Sequence, residues 1–384
     1  MSGSSGPLGI VGGGQLSVMT AAAAVRLGVE VAVLASRPDD PAVRFLPGTT
    51  VGDPTDPATL EAFVRRCGVV TFDHELVDVT LLADLERRGA ALRPGPRALA
   101  VATDKQAQRL RFAEAGLPLP PHVLTTTAAD VRAAADRLGW PVVAKVARGG
   151  YDGRGVAVLR DAVDLDAWDP GHALPAVVEP ALDIEAELAV QIARRPGGET
   201  VVHPVVRTVQ VDGMCHSVVV PSGLPDGVEA EAVAIARSVA TAVDAVGLLA
   251  VELFLVDGRL LVNEIAARPH NTGHHTIESC VTSQFENHVR GVLDLPLGDP
   301  SLRVPAAAMA NVVGRSRDPL HPGVDPGPGT TVHLYGKPPR PGRKLGHVTA
   351  VADDSTTAEA RAHRLADLLV GRTSAAPETS EVLV

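Results

Sequence analysis

Residues 8–35 constrain the fold most. An apolar run, LGIV, breaks at Gly12-Gly13-Gly14, and a second apolar run follows at 29–35. The spacer between them, about 15–27, has helical length. Strand, glycine turn, helix and strand in that order open a doubly wound, Rossmann-like α/β domain. A further strand at 69–72 ends in Asp73-His74-Glu75, and open α/β sheets hold ligands at such strand ends. A Pro-rich stretch at 93–97 reads as a boundary, so this domain is expected over 1–103. The pattern over 104–296 is α+β, with helices near 104–115, 128–138 and 229–246. Its strands are expected at 142–146, 156–159, 176–179 and 188–193, with a hairpin at 249–265. A third segment, 297–384, reads as Pro-rich and irregular to 330, then as a strand at 331–335, a basic turn and a helix at 357–369.

The formal net charge of −10 argues against a general nucleic-acid binder, which needs a basic face. No apolar run is long enough for a membrane span. Residues 1–7 lack the regions of a signal peptide, and three widely separated cysteines suggest no disulfide framework, so a cytoplasmic location is expected. Anionic ligands must then be held by local clusters. Only four of the 35 basic residues are lysines: Lys105, Lys145, Lys337 and Lys344. A compact ammonium on a flexible stem suits phosphate, and all four lie inside motifs.

Lys145 sits in VVAKVA, in a strand that should be half buried, where an unpaired ammonium is costly and calls for an anion. The glycine-rich run 149–155 follows directly; its amides can close over phosphates, so it is expected to order as a lid on nucleotide. In VELFLVDGRLLVNEI, a three-residue loop Asp257-Gly258-Arg259 is the preferred reading and sets Glu252 opposite Glu264, on one face with Phe254 and Val262; a two-residue turn would instead oppose Glu252 to Asn263 and split the acids. Two facing carboxylates repel unless cations lie between them, and hard oxygen ligands suit magnesium. The run from Arg268 to His275 holds many donors, including His270, Asn271, His274 and His275. Arg268 opposes a cation there, so donors to an anionic substrate fit better than zinc ligands. Lys337 and 340–344 form a basic turn suited to a phosphate monoester.

The order GGGQL, DK, GGYDGRG, VEPAL, VELF, VNEIAARPHNTGH, TSQFENH and RPGRKLGH over 10–347 resembles the 5-(carboxyamino)imidazole ribonucleotide synthetases. The resemblance implies an ATP-grasp fold with an N-terminal doubly wound domain, a lid-bearing central domain and a C-terminal domain completing the cleft. It implies ATP-dependent carboxylation of 5-aminoimidazole ribonucleotide with bicarbonate, two magnesium ions and a homodimer. By position, Lys105 and Lys145 would hold ATP phosphates under Gly150, Tyr151, Asp152, Gly153, Arg154, Gly155 and Val156. Backbone at Glu179, Pro180, Ala181 and Leu182 would read adenine, Glu187 the ribose, with Gln210 and Asn263 beside the nucleotide. Glu252 and Glu264 would bind the metals. Tyr151, Asp152, Arg154, Arg268, His270 and Asn271 would face the imidazole ribonucleotide, with Gly14, Gln15, Leu16 and Glu75 also on substrate and Lys337 and Arg343 on its 5′-phosphate. The chain departs from the family pattern at Ser17-Val18, Leu76 and Gln210.

Three other readings stand beside this one. A sister ATP-grasp transformylase acts on glycinamide ribonucleotide with formate, but that group has Asp at the position of Asn271. An NADP-dependent reductase could use the first glycine turn, with Arg37 on the 2′-phosphate. A nucleotide sensor without turnover would keep the same motifs.

Overall fold

The computed structural model describes residues 6–150, 155–168, 174–211 and 213–372. Four strands, β1 (Leu8–Val11), β2 (Val31–Ala35), β3 (Thr50–Val51) and β4 (Val69–Phe72), pair in parallel in the order β3-β2-β1-β4. Strands β1 and β4 are buried along their whole length, which is why they read as continuous apolar runs rather than alternating ones. The helix Gln15–Arg26 starts at Gly14 and covers one face. It shares a core with the helix Gln284–Val292 through Leu8, Leu16, Ala24, Val69, Phe285 and Val289. That second helix carries the TSQFENH motif and was not anticipated from the sequence.

A small antiparallel sheet follows, with β5 (Val123–Thr125), β6 (Val142–Val146), β7 (Val156–Leu159) and β8 (Ala176–Pro180) in the order β5-β8-β6-β7. The helix Ala128–Leu138 packs on it. Its start is fixed by a capping box in which Thr127 and Asp130 each satisfy the other's backbone N–H.

The large sheet is antiparallel. It contains β9 (Ala186–Arg194), β10 (Thr200–Val202), β11 (Val206–Val211), β12 (Met214–Val220), β13 (Gly247–Val256), β14 (Arg259–Ala266), β15 (Ala306–Val313), β16 (Thr330–Leu334) and β17 (Lys344–Ala352). The order is β14-β13-β9-β11-β12-β15-β17-β16, with β10 on the edge of β9. The sheet therefore runs across the boundary read at 297, because β15 pairs with β12. The expectation of irregular chain to 330 fails at β15. Its sequence, AAAMANVV, combines a weak strand former with burial on both faces, so no alternation marks it. Ala308, Ala310 and Val312 pack with Ala358, Ala362 and Leu365 of the helix Ser355–Leu369, while Ala307 and Met309 face the other layer.

The N-terminal and large sheets meet at His288, which is fully buried. Its Nδ1 accepts the Leu248 N–H at 3.0 Å and its Nε2 lies 2.9 Å from Thr71 Oγ1 on β4. All three cysteines are free. No helix among the described residues is long and apolar enough to cross a membrane.

Candidate active site

The hairpin β13–β14 places the acids, by a different route from the one expected. Asp257 and Gly258, both at positive φ (47° and 68°), form a two-residue turn, so Val256 faces Arg259 rather than Leu260. That turn alone would separate Glu252 from Glu264. A bulge at Asn263 shifts the register by one residue, and Glu252 faces Glu264 after all. The bulge also corrects the floor: Leu261 faces Phe254, whereas Val262 turns into the core beneath with Leu253 and Ile265.

On the neighbouring strand, Glu187 pairs in register with Phe254, so three carboxylates share this face. Burial and the charges of Glu264 and Glu187 raise the proton affinity of Glu252. Burial raises Glu187 to about 7 against the opposing pull of Lys145 and a hydrogen bond from Gln210. Burial acts on Glu264 in the same sense, but Lys105, Lys145 and His270 outweigh it and hold Glu264 ionised. Its direct counter-ion is the Lys105 ammonium, and its side chain is still 37% exposed. Burial raises the proton affinity of two of the three facing acids, and for Glu252 the neighbouring carboxylates add to it. Oxygen-only donors of that kind fit hard divalent cations.

Lys145, expected to need an anion, has one in the protein. Its Nζ lies 2.9 Å from Glu179 Oε2, 3.0 Å from Asn263 Oδ1 and 5.4 Å from the Phe254 ring centre. Arg109, buried and missed in the sequence, completes the group: its Nε and Nη2 lie 2.7 and 2.6 Å from Glu179 Oε1, and its Nη1 donates to the Asn263 carbonyl at 2.8 Å. The partners titrate unequally. Burial opposes ionisation of Glu179, yet two cations hold it at about 2. Lys145 is lowered by burial, because it has one anion and two neighbouring cations, Arg109 and Lys105. The Lys105 N–H donates to the Ala147 carbonyl at 2.8 Å, which fixes the helix Lys105–Glu114 at the end of β6. Gly155, at φ +79°, accepts from the Val146 N–H at 2.8 Å, and a Cβ there would lie 2.3 Å from Val146 Cγ2. Of the expected nucleotide loop, Tyr151, Asp152, Gly153 and Arg154 lie outside the described residues. Glu179 and Pro180 end β8, and the Ala181 N–H donates to the Pro141 carbonyl at 3.0 Å, ahead of Leu182.

The loop after β14 divides in two. Arg268 Nε donates to Glu75 Oε2 at 2.6 Å, joining the acidic end of the β4 segment to this loop. His270 Nδ1 lies 3.7 Å from Glu252 Oε1 and 2.8 Å from Thr272 Oγ1. Asn271 exchanges amide hydrogen bonds of 2.9 and 2.7 Å with Asn311 on β15, a second residue missed in the sequence. His274 and His275 are corrected: both are fully buried, against Gln284 and Ser279 respectively, and serve the core rather than an anion.

The first glycine turn and the basic turn converge. Lys337 Nζ donates to Gln15 Oε1 at 2.5 Å and lies 5.6 Å from the Tyr335 ring centre. Arg343 donates to the Pro338 carbonyl at 3.3 Å. Burial lowers its proton affinity, helped by Arg340 and Arg37 and opposed by Asp39 and Asp40. Leu16 instead packs in the core. The Gly14 N–H donates to Asp73 Oδ2 at 2.7 Å, and a Cβ on Gly12, at φ +109°, would meet Asp73 Oδ1 at 1.6 Å. A carboxylate in that position repels a dinucleotide pyrophosphate. Arg37 is also paired, with Asp40 at 3.1 Å. Both contacts count against the reductase reading.

This arrangement defines an ATP-grasp protein. The chain matches the ATP-grasp domain over 110–285, the ribonucleotide synthetase preATP-grasp domain over 6–103 and the phosphoribosylaminoimidazole carboxylase C-terminal domain over 307–361. It is 43% identical to the N5-carboxyaminoimidazole ribonucleotide synthase of Mycobacterium tuberculosis, over 90% of this chain and 83% of that one. It resembles the ADP complex of an N5-carboxyaminoimidazole ribonucleotide synthetase, with a TM-score of 0.89, 33% identity and coverage of 95% and 98% of the two chains. An Aspergillus clavatus synthase bound to ADP and 5-aminoimidazole ribonucleotide gives a TM-score of 0.84 at 29% identity, over 95% and 99%. The chain belongs to the N5-carboxyaminoimidazole ribonucleotide synthase family.

Proposed function

We propose that this enzyme carboxylates 5-aminoimidazole ribonucleotide with bicarbonate at the expense of ATP, a C–N bond-forming step of purine biosynthesis. The observation that carries the reading is the single cleft floor on which Lys105, Lys145, Glu187, Glu252 and Glu264 meet. Beside it lies the Arg268–Asn271 loop.

Bicarbonate is a poor electrophile. Attack of its oxygen on the γ-phosphorus gives carboxyphosphate and ADP, and loss of phosphate then yields carbon dioxide beside the amine. The amine nitrogen bonds to that carbon and sheds one proton, giving the carbamate. Phosphoryl transfer of this kind needs positioning and charge neutralisation. Lys105 and Lys145 supply positive charge on the phosphates, and Glu187 with Gln210 receives the ribose hydroxyls. Magnesium held by Glu252 and Glu264 supplies further neutralisation when bound. Arg268 and His270, together with Asn271 held by Asn311, orient the amine toward the carbon. Gln15, Lys337 and Arg343 hold the 5′-phosphate. We further infer three units over 1–103, 104–296 and 297–384, a homodimer and a cytoplasmic location.

The phosphate assignment is tested by Arg343→Ala. Losing a bidentate guanidinium contact should raise the Michaelis constant for the ribonucleotide by about one to two orders of magnitude, or about 1.4–2.8 kcal/mol, and leave that for ATP nearly unchanged. Loss of ATP affinity instead, or no effect, would move the anchor elsewhere.

A further inference from the structure

One cluster of metal-type side chains borders this machinery, since His347 pairs in register with Asn311 on β15. His333 on β16 faces His347 on β17 in register, with ring centres 4.5 Å apart and planes 14° from parallel. Glu278, on the short helix Thr276–Ser279, brings Oε1 to 2.7 Å from His333 Nε2. One donor atom from each of the three lies within 4.8 Å of the others. We propose that Glu278, His333 and His347 bind a divalent transition-metal ion of the zinc type. The proposal does not depend on the reaction assigned above.

The buried atoms carry the argument. His347 is fully buried, its Nδ1 lies 2.8 Å from the Tyr335 hydroxyl, and its Nε2 has no hydrogen-bond partner among the described residues. If Tyr335 donates, Nε2 bears a buried N–H without an acceptor. If Nδ1 donates to Tyr335, Nε2 presents a bare lone pair. Either state leaves a buried polar group unmatched, which is unfavourable. Glu278 Oε2 is buried and unpartnered as well. A cation resolves the second tautomer, and the Tyr335 contact then serves as the outer hydrogen bond that metal-bound imidazoles ordinarily make.

The donor set selects the ion. Two imidazoles and one carboxylate suit zinc and disfavour magnesium, which prefers oxygen. Donors around zinc stand about 2.0–2.2 Å from the metal, so binding requires one imidazole to rotate out of the near-parallel stack and the direct Glu278–His333 contact to open. Three protein ligands leave a fourth position for water. Access exists, because the His333 side chain is 28% exposed. A metal here would clamp the β16 edge of the large sheet to the segment that follows Arg268–Asn271.

The experiment is a zinc titration of the metal-stripped full chain against a chromophoric chelator, with thermal melts alongside. The wild type, His333→Gln, Glu278→Gln and the control His363→Gln are compared, the control altering a separate stacked histidine pair. Wild type and control should bind one more equivalent than either cluster variant, and their zinc-dependent rise in Tm should be larger than that of either. Equal stoichiometry and equal shifts in all four proteins would overturn the site. If both cluster variants fail to fold, X-ray absorption of the wild type with one equivalent of zinc decides. Scattering from two imidazoles supports the assignment, and an all-oxygen or sulfur shell refutes it.

Discussion

Glu264→Gln is expected to fold and to lose about a hundredfold or more in turnover. Glu264 is the acid that remains ionised on the cleft floor, held so by Lys105, Lys145 and His270. The amide keeps the shape and removes the charge. Weakened charge neutralisation at phosphoryl transfer then costs about 3–4 kcal/mol of transition-state stabilisation. The substitution also removes a charge that raises Glu252, so Glu252 should lose part of its proton affinity. Steady-state kinetics against magnesium concentration check the first point. Near-normal turnover with unchanged magnesium dependence would remove both acids from the proposed metal role.

Glu179→Gln should act on stability rather than on chemistry alone. It leaves Lys145 and Arg109 buried without their shared anion, and breaking a buried ion pair from one side costs about 3–5 kcal/mol. The native shift from 4.5 to about 2 corresponds independently to about 3 kcal/mol. The pH dependence has a definite sign. The folded-state value is depressed, so the contribution is complete above the unfolded value near 4.5 and is lost as pH falls toward 2. Urea unfolding of wild type and variant should therefore differ by a constant amount from neutral pH to about 5, and the gap should narrow below that. A gap under about 1 kcal/mol at neutral pH would mean that relaxation or water, not Glu179, satisfies the two cations.

Much of this was legible locally. The strand bearing Lys145 showed itself by its apolar neighbours, and Asp104 and Thr127 cap helices where their side chains reach the first free amides. The acids of the hairpin were found for a partly mistaken reason. A two-residue turn and a bulge at Asn263 give the same pairing as a three-residue loop; the Asp-Gly pair favours the two-residue turn, but nothing in RLLVNE announces the bulge. Arg109 and Asn311 were missed because their partners, Glu179 and Asn271, lie 70 and 40 residues away. His274 and His275 were misread because a histidine carries no mark in sequence of whether it meets solvent, ligand or core. Strand β15 was hidden by its alanines, whose small side chains let a helix approach closely.

ATP cleavage by this enzyme should be committed to carboxylating an amine. The direct measurement is ADP release by the full chain with magnesium, omitting bicarbonate or 5-aminoimidazole ribonucleotide in turn, with the bicarbonate labelled by heavy oxygen. Rapid ADP formation is expected only when all components are present, with one labelled oxygen transferred from bicarbonate to the released phosphate and carbamate matching ADP. ADP formation indifferent to the ribonucleotide, or phosphate whose new oxygen comes only from water, would contradict it.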